Sequence, residues 1–169
     1  MTLRDKVALV TGGSRGIGRV ICLGFAEQGA KVVVASRSEV DTAAGAEFAT
    51  YASGTIHDTA QMIQAQGGSA IGIKCDVTQV EDIRHLVEAT LTHFGRIDIL
   101  VNNAGVDCES SVVDVDLDLL DRCLAVNVRA PLCCANSPYA ACSSSAPARY
   151  FVSPQGPPVA TVRGEWATR

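Results

Sequence analysis

From residue 6 to about residue 132, short β-branched runs alternate with helix-length amphipathic segments, the rhythm of βαβ units laid on a parallel sheet. The first run is "KVALV" (6–10). A glycine-rich turn follows, then a segment in which Ile17, Val20, Ile21 and Phe25 recur at helical spacing until Gly29 stops it. These four are expected to face the core. "KVVVA" (31–35) is apolar throughout, as a strand covered on both faces should be. "SEVDTAAGAEFATYASG" (38–54) is longer than a compact connection needs and reads as a surface excursion. Beyond it, "TIHDTAQMIQAQ" predicts a helix with Ile56, Ala60 and Ile63 on one face, ended by Gly67 and Gly68. "AIGIKCDV" (70–77) and "DILVNNAG" (98–105) are the third and fourth strands. Between them a helix over 79–94 turns Val80, Ile83, Val87 and Leu91 inward. Asp116 is placed to cap a fourth helix carrying Leu119, Leu120, Cys123 and Leu124.

After Leu132 the period is lost, and Pro138, Pro147, Pro154, Pro157 and Pro158 fall among Ser, Ala and Gly. The expected organisation is therefore an α/β domain over 1–132, a doubly wound parallel sheet truncated after about the fourth strand-helix unit, with an irregular tail over 133–169.

Composition narrows the function classes. With 169 residues and 47% hydrophobic content, the chain can bury one real core. A net charge of −4 offers no basic face for nucleic acid, and no apolar run approaches the roughly 20 residues of a membrane helix. The opening "MTLRDKVALVTGG" runs straight into a strand without the pattern of a signal peptide, which points to a cytoplasmic location. The seven cysteines form no CxxC pair, and His57, His85 and His93 share no ligand spacing, so reduced thiols and no metal are expected.

The chemistry gathers at "TGGSRGIG" (11–18), between a strand and a helix. Gly12 permits the tight turn, Gly16 and Gly18 let backbone approach a pyrophosphate, and the helix N-terminus supplies N–H donors to it. The competing reading is a glycine turn with no ligand. With the spacing G-x-x-x-G-x-G, "CDV" ending the third strand, "NNAG" ending the fourth and Asn127 within "AVNVRAP", residues 6 to about 132 closely resemble the short-chain dehydrogenase/reductase family.

That resemblance implies a Rossmann-like fold and hydride transfer between a nicotinamide dinucleotide and a small carbonyl or secondary alcohol. It makes cofactor-binding candidates of Gly12, Ser14, Arg15, Gly16, Ile17, Gly18, Arg37, Asp76, Val77, Asn103, Ala104 and Gly105, with Asp76 toward the adenine amino group. Arg15 in the glycine loop and Arg37 after the second strand are cations suited to a 2′-phosphate, which favours NADP over NAD. Glu39 and Asp41 would serve NAD if the loop folds back. Asn127 falls where the family keeps a proton-relay asparagine, and Ser153 about where it keeps a substrate-orienting serine.

The departure is equally plain. The family acidifies a catalytic tyrosine with a lysine four residues later, because phenol at a pKa near ~10 is a poor base at neutral pH. Here the only lysines are Lys6, Lys31 and Lys74; Tyr139 is followed four later by Ser143, and Tyr150 by Pro154. Asn127 then has no relay to join, and its alternative role is that of a locally satisfied helix residue. Codons read from their last base would let the residues after Leu132 continue an amphipathic helix, and residues 149–159 encode a strand and a serine motif. A shifted frame, an alternative exon and a natural short form are the readings of this break.

Two functions follow: an oxidoreductase by lineage that is inactive as written, or a non-catalytic NADP-binding or interaction module. Without later strands the fourth strand would be an exposed edge, predicting marginal stability and self-association, unless "RYFVS" (149–153) supplies a fifth.

Overall fold

A computed structural model describes residues 3–39, 53–107 and 113–136, and the backbone of residues 149–152. Strand β1 (Val7–Thr11) is buried along its whole length and lies at the centre of the sheet. On one side it pairs with β2 (Lys31–Ser36), and β3 (Ser69–Lys74) pairs outside that; on the other it pairs with β4 (Ile99–Asn102). β5 (Arg149–Val152) lies outside β4, so the five strands run parallel in the order β3-β2-β1-β4-β5. Leu9 stands between Val33 and Leu100, which fixes the register across the centre.

Period-two alternation along these strands feeds two cores, one on each face. Ala8, Val10, Val32 and Val34 turn to one face, where Cys22 of α1 (Gly16–Glu27) and Ile56, Ala60 and Ile63 of α2 (Ile56–Ala65) cover them. Leu9, Val33, Ala35 and Leu100 turn to the other, beneath Ile83, Leu86 and Val87 of α3 (Val80–Phe94). Val126, Ala130 and Cys134 complete that layer. They come from a helix built of α4 (Leu117–Leu124), a π-helical turn (Ala125–Arg129) and α5 (Ala130–Asn136). The doubly wound parallel sheet expected from the sequence is the one observed.

Local signals explain the ends of the helices. Thr55 and Asp58 form a reciprocal capping box at the start of α2, Asp116 accepts from the Asp118 amide at 2.9 Å to cap α4, and Gly95 ends α3 with a φ of 79°.

Three expectations are corrected. Ile17 and Val20 face outward, 69% and 66% exposed, because the first turn of α1 is pressed onto the glycine loop through Gly18 and the buried face is Gly18 and Cys22. Val80 and Leu124 are also outward, while Leu86, which the periodicity passed over, is buried. Finally, β4 is not the edge of the sheet: residues 149–152 pair along it, Leu100 opposite Tyr150, so the substitute fifth strand forms and takes the edge position. The helix runs past Leu132 to Asn136, seating Cys134 in the core; the rest of the proline-rich stretch lies outside the described residues.

Candidate functional site

The strand order reverses between β1 and β4, and an open parallel sheet forms a crevice there, beyond the carboxyl ends of its strands. β1 delivers the chain into the glycine loop, where Gly12 turns at a φ of 69°. A Cβ at Gly18 would lie 2.1 Å from the Gly12 carbonyl oxygen, so only glycine lets α1 start so close to the loop. No side chain caps α1 and no acidic residue occupies its first turn, which leaves the amide end and its positive dipole directed at the crevice.

Asn103 ties the two halves of the crevice together. Its Nδ2 donates to the carbonyls of Thr11 and Gly12 at 3.0 and 3.2 Å, while the Thr11 hydroxyl accepts from the Asn103 and Ala104 amides, both at 3.1 Å. Asn127, in the π-helical turn, reaches back to Val106 and holds the segment just after Gly105. Its side chain is bound to backbone and does not line the crevice.

Asp76 accepts from the amide and hydroxyl of Thr78 at 2.9 and 2.8 Å, while its own amide donates to Asp82 at 2.8 Å. Burial alone would raise its pKa. The Thr78 hydrogen bonds and the charges of Arg37 and Arg122 outweigh that and hold the carboxyl below its ordinary range. Glu39 is drawn to Lys74 at 2.8 Å. Asp41 lies outside the described residues.

These parts enclose a cleft of about 410 Å³. All of the cofactor-binding candidates line it: Gly12, Ser14, Arg15, Gly16, Ile17 and Gly18 from the loop, Arg37 from the end of β2, Asp76 and Val77 from the end of β3, and Asn103, Ala104 and Gly105 from the end of β4. Cys75, Ser38, Val106 and Val126 line it too: Cys75 and Val126 sit inside the "CDV" and "AVNVRAP" stretches without standing out in either, while the signal for Ser38 and Val106 is position alone, just past a strand end. Ser153 and Tyr139 lie outside the described residues, and of Tyr150 only the backbone is described. Among the described residues no group of His, Cys, Asp and Glu is placed to hold a metal, and no helix is long and apolar enough to cross a membrane.

An open parallel sheet with a glycine-lined cleft at its crossover defines an α/β nucleotide-binding fold. The model of the family described as short chain dehydrogenase matches residues 6–145. An uncharacterized oxidoreductase from Methylorubrum extorquens is 41% identical over 126 residues, 75% of this chain and 46% of its own length. Tropinone reductase-like 1 from Erythroxylum coca is 38% identical over 130 residues, 75% of this chain and 42% of its own. Among solved structures, a short chain dehydrogenase from Burkholderia cenocepacia in complex with NADP matches with a TM-score of 0.68 at 37% identity, covering 83% of this chain and 51% of that one. A short chain dehydrogenase from Mycobacterium thermoresistibile matches with a TM-score of 0.73 at 32% identity, covering 82% and 48%. The chain belongs to the short-chain dehydrogenase/reductase family. It spans about half the length of the relatives it matches.

Proposed function

We propose that these residues are the NADP-binding part of a short-chain oxidoreductase, and that the 169-residue chain binds the nucleotide without turning over a carbonyl substrate. The observation that carries the reading is the cleft itself, whose glycine loop and uncapped helix end suit a pyrophosphate while Arg15 and Arg37 suit a 2′-phosphate. The residues fit the group: Gly18 leaves room for close backbone approach, and Glu39, the carboxylate that would hold a free ribose diol, is paired with Lys74. Asp76 and Val77 flank the adenine end, and Asn103, Ala104 and Gly105 form the wall opposite the glycine loop. When bound, the nicotinamide supplies or accepts the hydride for a small carbonyl or secondary alcohol.

The lack of turnover follows from the placement of cations. Lys6 is paired with Asp98, Lys74 with Glu39, and the Lys31 ammonium lies 5.9 Å from the Phe94 ring centre; none of the three lines the cleft. No ammonium is then available there to acidify a tyrosine. Asn127, engaged with Val106 through its side-chain amide, holds the cleft wall.

Self-association also finds support. Leu117, Leu124, Val128 and Leu132 are each at least 50% exposed along one side of α4, the π-helical turn and α5. A cytoplasmic location remains part of this reading; the division expected at residue 132 falls inside α5 (Ala130–Asn136), which seats Cys134 in the core.

Titration of NADPH and NADH into the purified chain, followed by nucleotide fluorescence, tests the proposal alongside a carbonyl-reduction assay. Saturable binding that prefers NADPH, with no oxidation of it, is the expected result. Turnover by protein of verified sequence, or no binding of either nucleotide, would refute it.

A further inference from the structure

Arg19 lies on α1 one residue beyond the glycine motif, half-buried, behind the loop and outside the cleft. Among the described residues its guanidinium forms no ion pair with a carboxylate. Nη2 donates to the Ser14 carbonyl at 2.6 Å and to the Ser53 carbonyl at 3.1 Å, while Nε donates to the Ser14 carbonyl at 3.1 Å and to the Thr59 hydroxyl at 3.2 Å. The Thr59 hydroxyl, on fully buried Thr59 of α2, in turn donates to the same Ser14 carbonyl at 3.2 Å. One carbonyl in the glycine loop thus collects three donors from two side chains. Charge-assisted bonds of this kind are the strong ones.

The consequence lies in the peptide plane. The described chain has no cis peptide, and across a trans peptide the carbonyl of one residue and the N–H of the next point in opposite directions. Drawing the Ser14 carbonyl back toward Arg19 and Thr59 turns the Arg15 N–H away from those two side chains, and Arg15 is a residue of the cleft lining. The start of α1 follows directly, at Gly16.

Gly54 is the counterpart of this arrangement. A Cβ there would lie 1.5 Å from Nη2 of Arg19 and 2.9 Å from the Ser14 carbonyl oxygen, so any side chain would push the guanidinium off its seat.

We propose that Arg19 is a positioning residue of the nucleotide cradle: with Thr59 it orients the Ser14–Arg15 peptide so that the loop presents its amide to the pyrophosphate, and Gly54 leaves space for it to do so. The inference rests on the reading of the cleft as a dinucleotide site. It adds a determinant of phosphate-loop geometry contributed from behind the loop, by residues 40 and 45 positions apart in sequence.

The test compares full-length wild type with R19M, R19K, T59V and G54A. Each is titrated with NADPH and with adenosine 2′-monophosphate, which carries the 2′-phosphate and lacks the pyrophosphate, and each is melted without ligand. R19M should weaken NADPH by about tenfold or more, the scale of a lost charged hydrogen bond, while adenosine 2′-monophosphate, which meets only the Arg15 side chain on that peptide and keeps Arg37, loses clearly less. T59V should lose less, R19K should recover part of the affinity, and G54A should resemble R19M while adding nothing further to NADPH affinity in the R19M background. Loss of both ligands in parallel with the melting temperature, or NADPH affinity unchanged in folded R19M and T59V, overturns the role assigned to Arg19 and leaves the cleft reading intact. Wild type that binds neither ligand overturns the cleft reading and this inference with it.

Discussion

Asn127 holds Val106 from both sides: its Oδ1 accepts from the Val106 amide at 3.1 Å, and its Nδ2 donates to the Val106 carbonyl at 2.9 Å. The pair closes the segment that follows β4 against the π-helical turn, and Val106 lines the cleft. A side-chain amide is suited to this because it mimics a peptide, offering one donor and one acceptor in a plane.

Asn127→Ala should therefore weaken the fold and the cleft together. Leaving two backbone groups unpaired costs on the order of 1–3 kcal/mol. Urea unfolding reads the first effect and NADPH titration the second. Asn127→Asp keeps the acceptor, sets a carboxylate against a carbonyl, and should fall no closer to wild type than Ala does.

Arg37 should decide between the two nicotinamide dinucleotides. Arg37→Asp removes a cation from the 2′-phosphate end and introduces the carboxylate that suits a ribose diol. NADPH affinity should fall by about ten- to a hundredfold while NADH holds or gains. Unchanged discrimination in paired titrations would place the 2′-phosphate elsewhere.

Asp98 couples the fold to pH. The residue is 7% exposed and accepts from the Val7 amide at 2.9 Å, from Lys6 at 3.2 Å and from Arg96. Burial pushes its pKa up, but the bonds from Arg96, Val7 and Lys6 outweigh that and hold it below the ordinary value. A carboxyl depressed in the folded state stabilises the protein above its unfolded pKa of about 3.9, and that contribution is lost as pH falls through the lower folded value. Asp98→Asn should cost about 1–3 kcal/mol near neutral pH, and the gap to wild type should narrow below about pH 4. Denaturation at a series of pH values measures both.

Three thiols should be silent to alkylation until the fold opens. Burial pushes Cys22, Cys75 and Cys134 each up to about 12, so almost no thiolate exists at pH 8. Peptide mapping after iodoacetamide treatment of native and urea-unfolded protein should show these sites modified only in the second. Labelling of Cys75 in the native state would mean that the cleft floor opens.

The sequence revealed what is repetitive and local. β2 could be read because its whole run is apolar, and α2 because Ile56, Ala60 and Ile63 keep the helical period and all three are buried. The glycine loop was legible because few backbones need Gly12, Gly16 and Gly18 together where a strand turns into a helix. α1 misled for the same reason: where helix meets loop at van der Waals distance, the inward residue is Gly18, which carries no apolar signal, and the bulky Ile17 and Val20 are displaced outward. The pairing of β5 was weakly marked, since four residues are too few to show a period amid prolines. Arg19 could not be found at all from its neighbours in sequence, because its partners on Ser53 and Thr59 are brought to it only by the packing of α1 on α2.

The reversal of strand order also dictates when the receptor comes into being. β1, β2 and β3 can zip together along a continuous stretch of chain, whereas Asn103 must cross 92 residues to reach Thr11. Closing a loop of that length is the entropically late step in a topology of this kind. A half-assembled chain thus already carries its glycine turn but has no opposing wall, so nucleotide capture reports completion: a ligand that binds only the finished crossover draws the folding equilibrium toward itself.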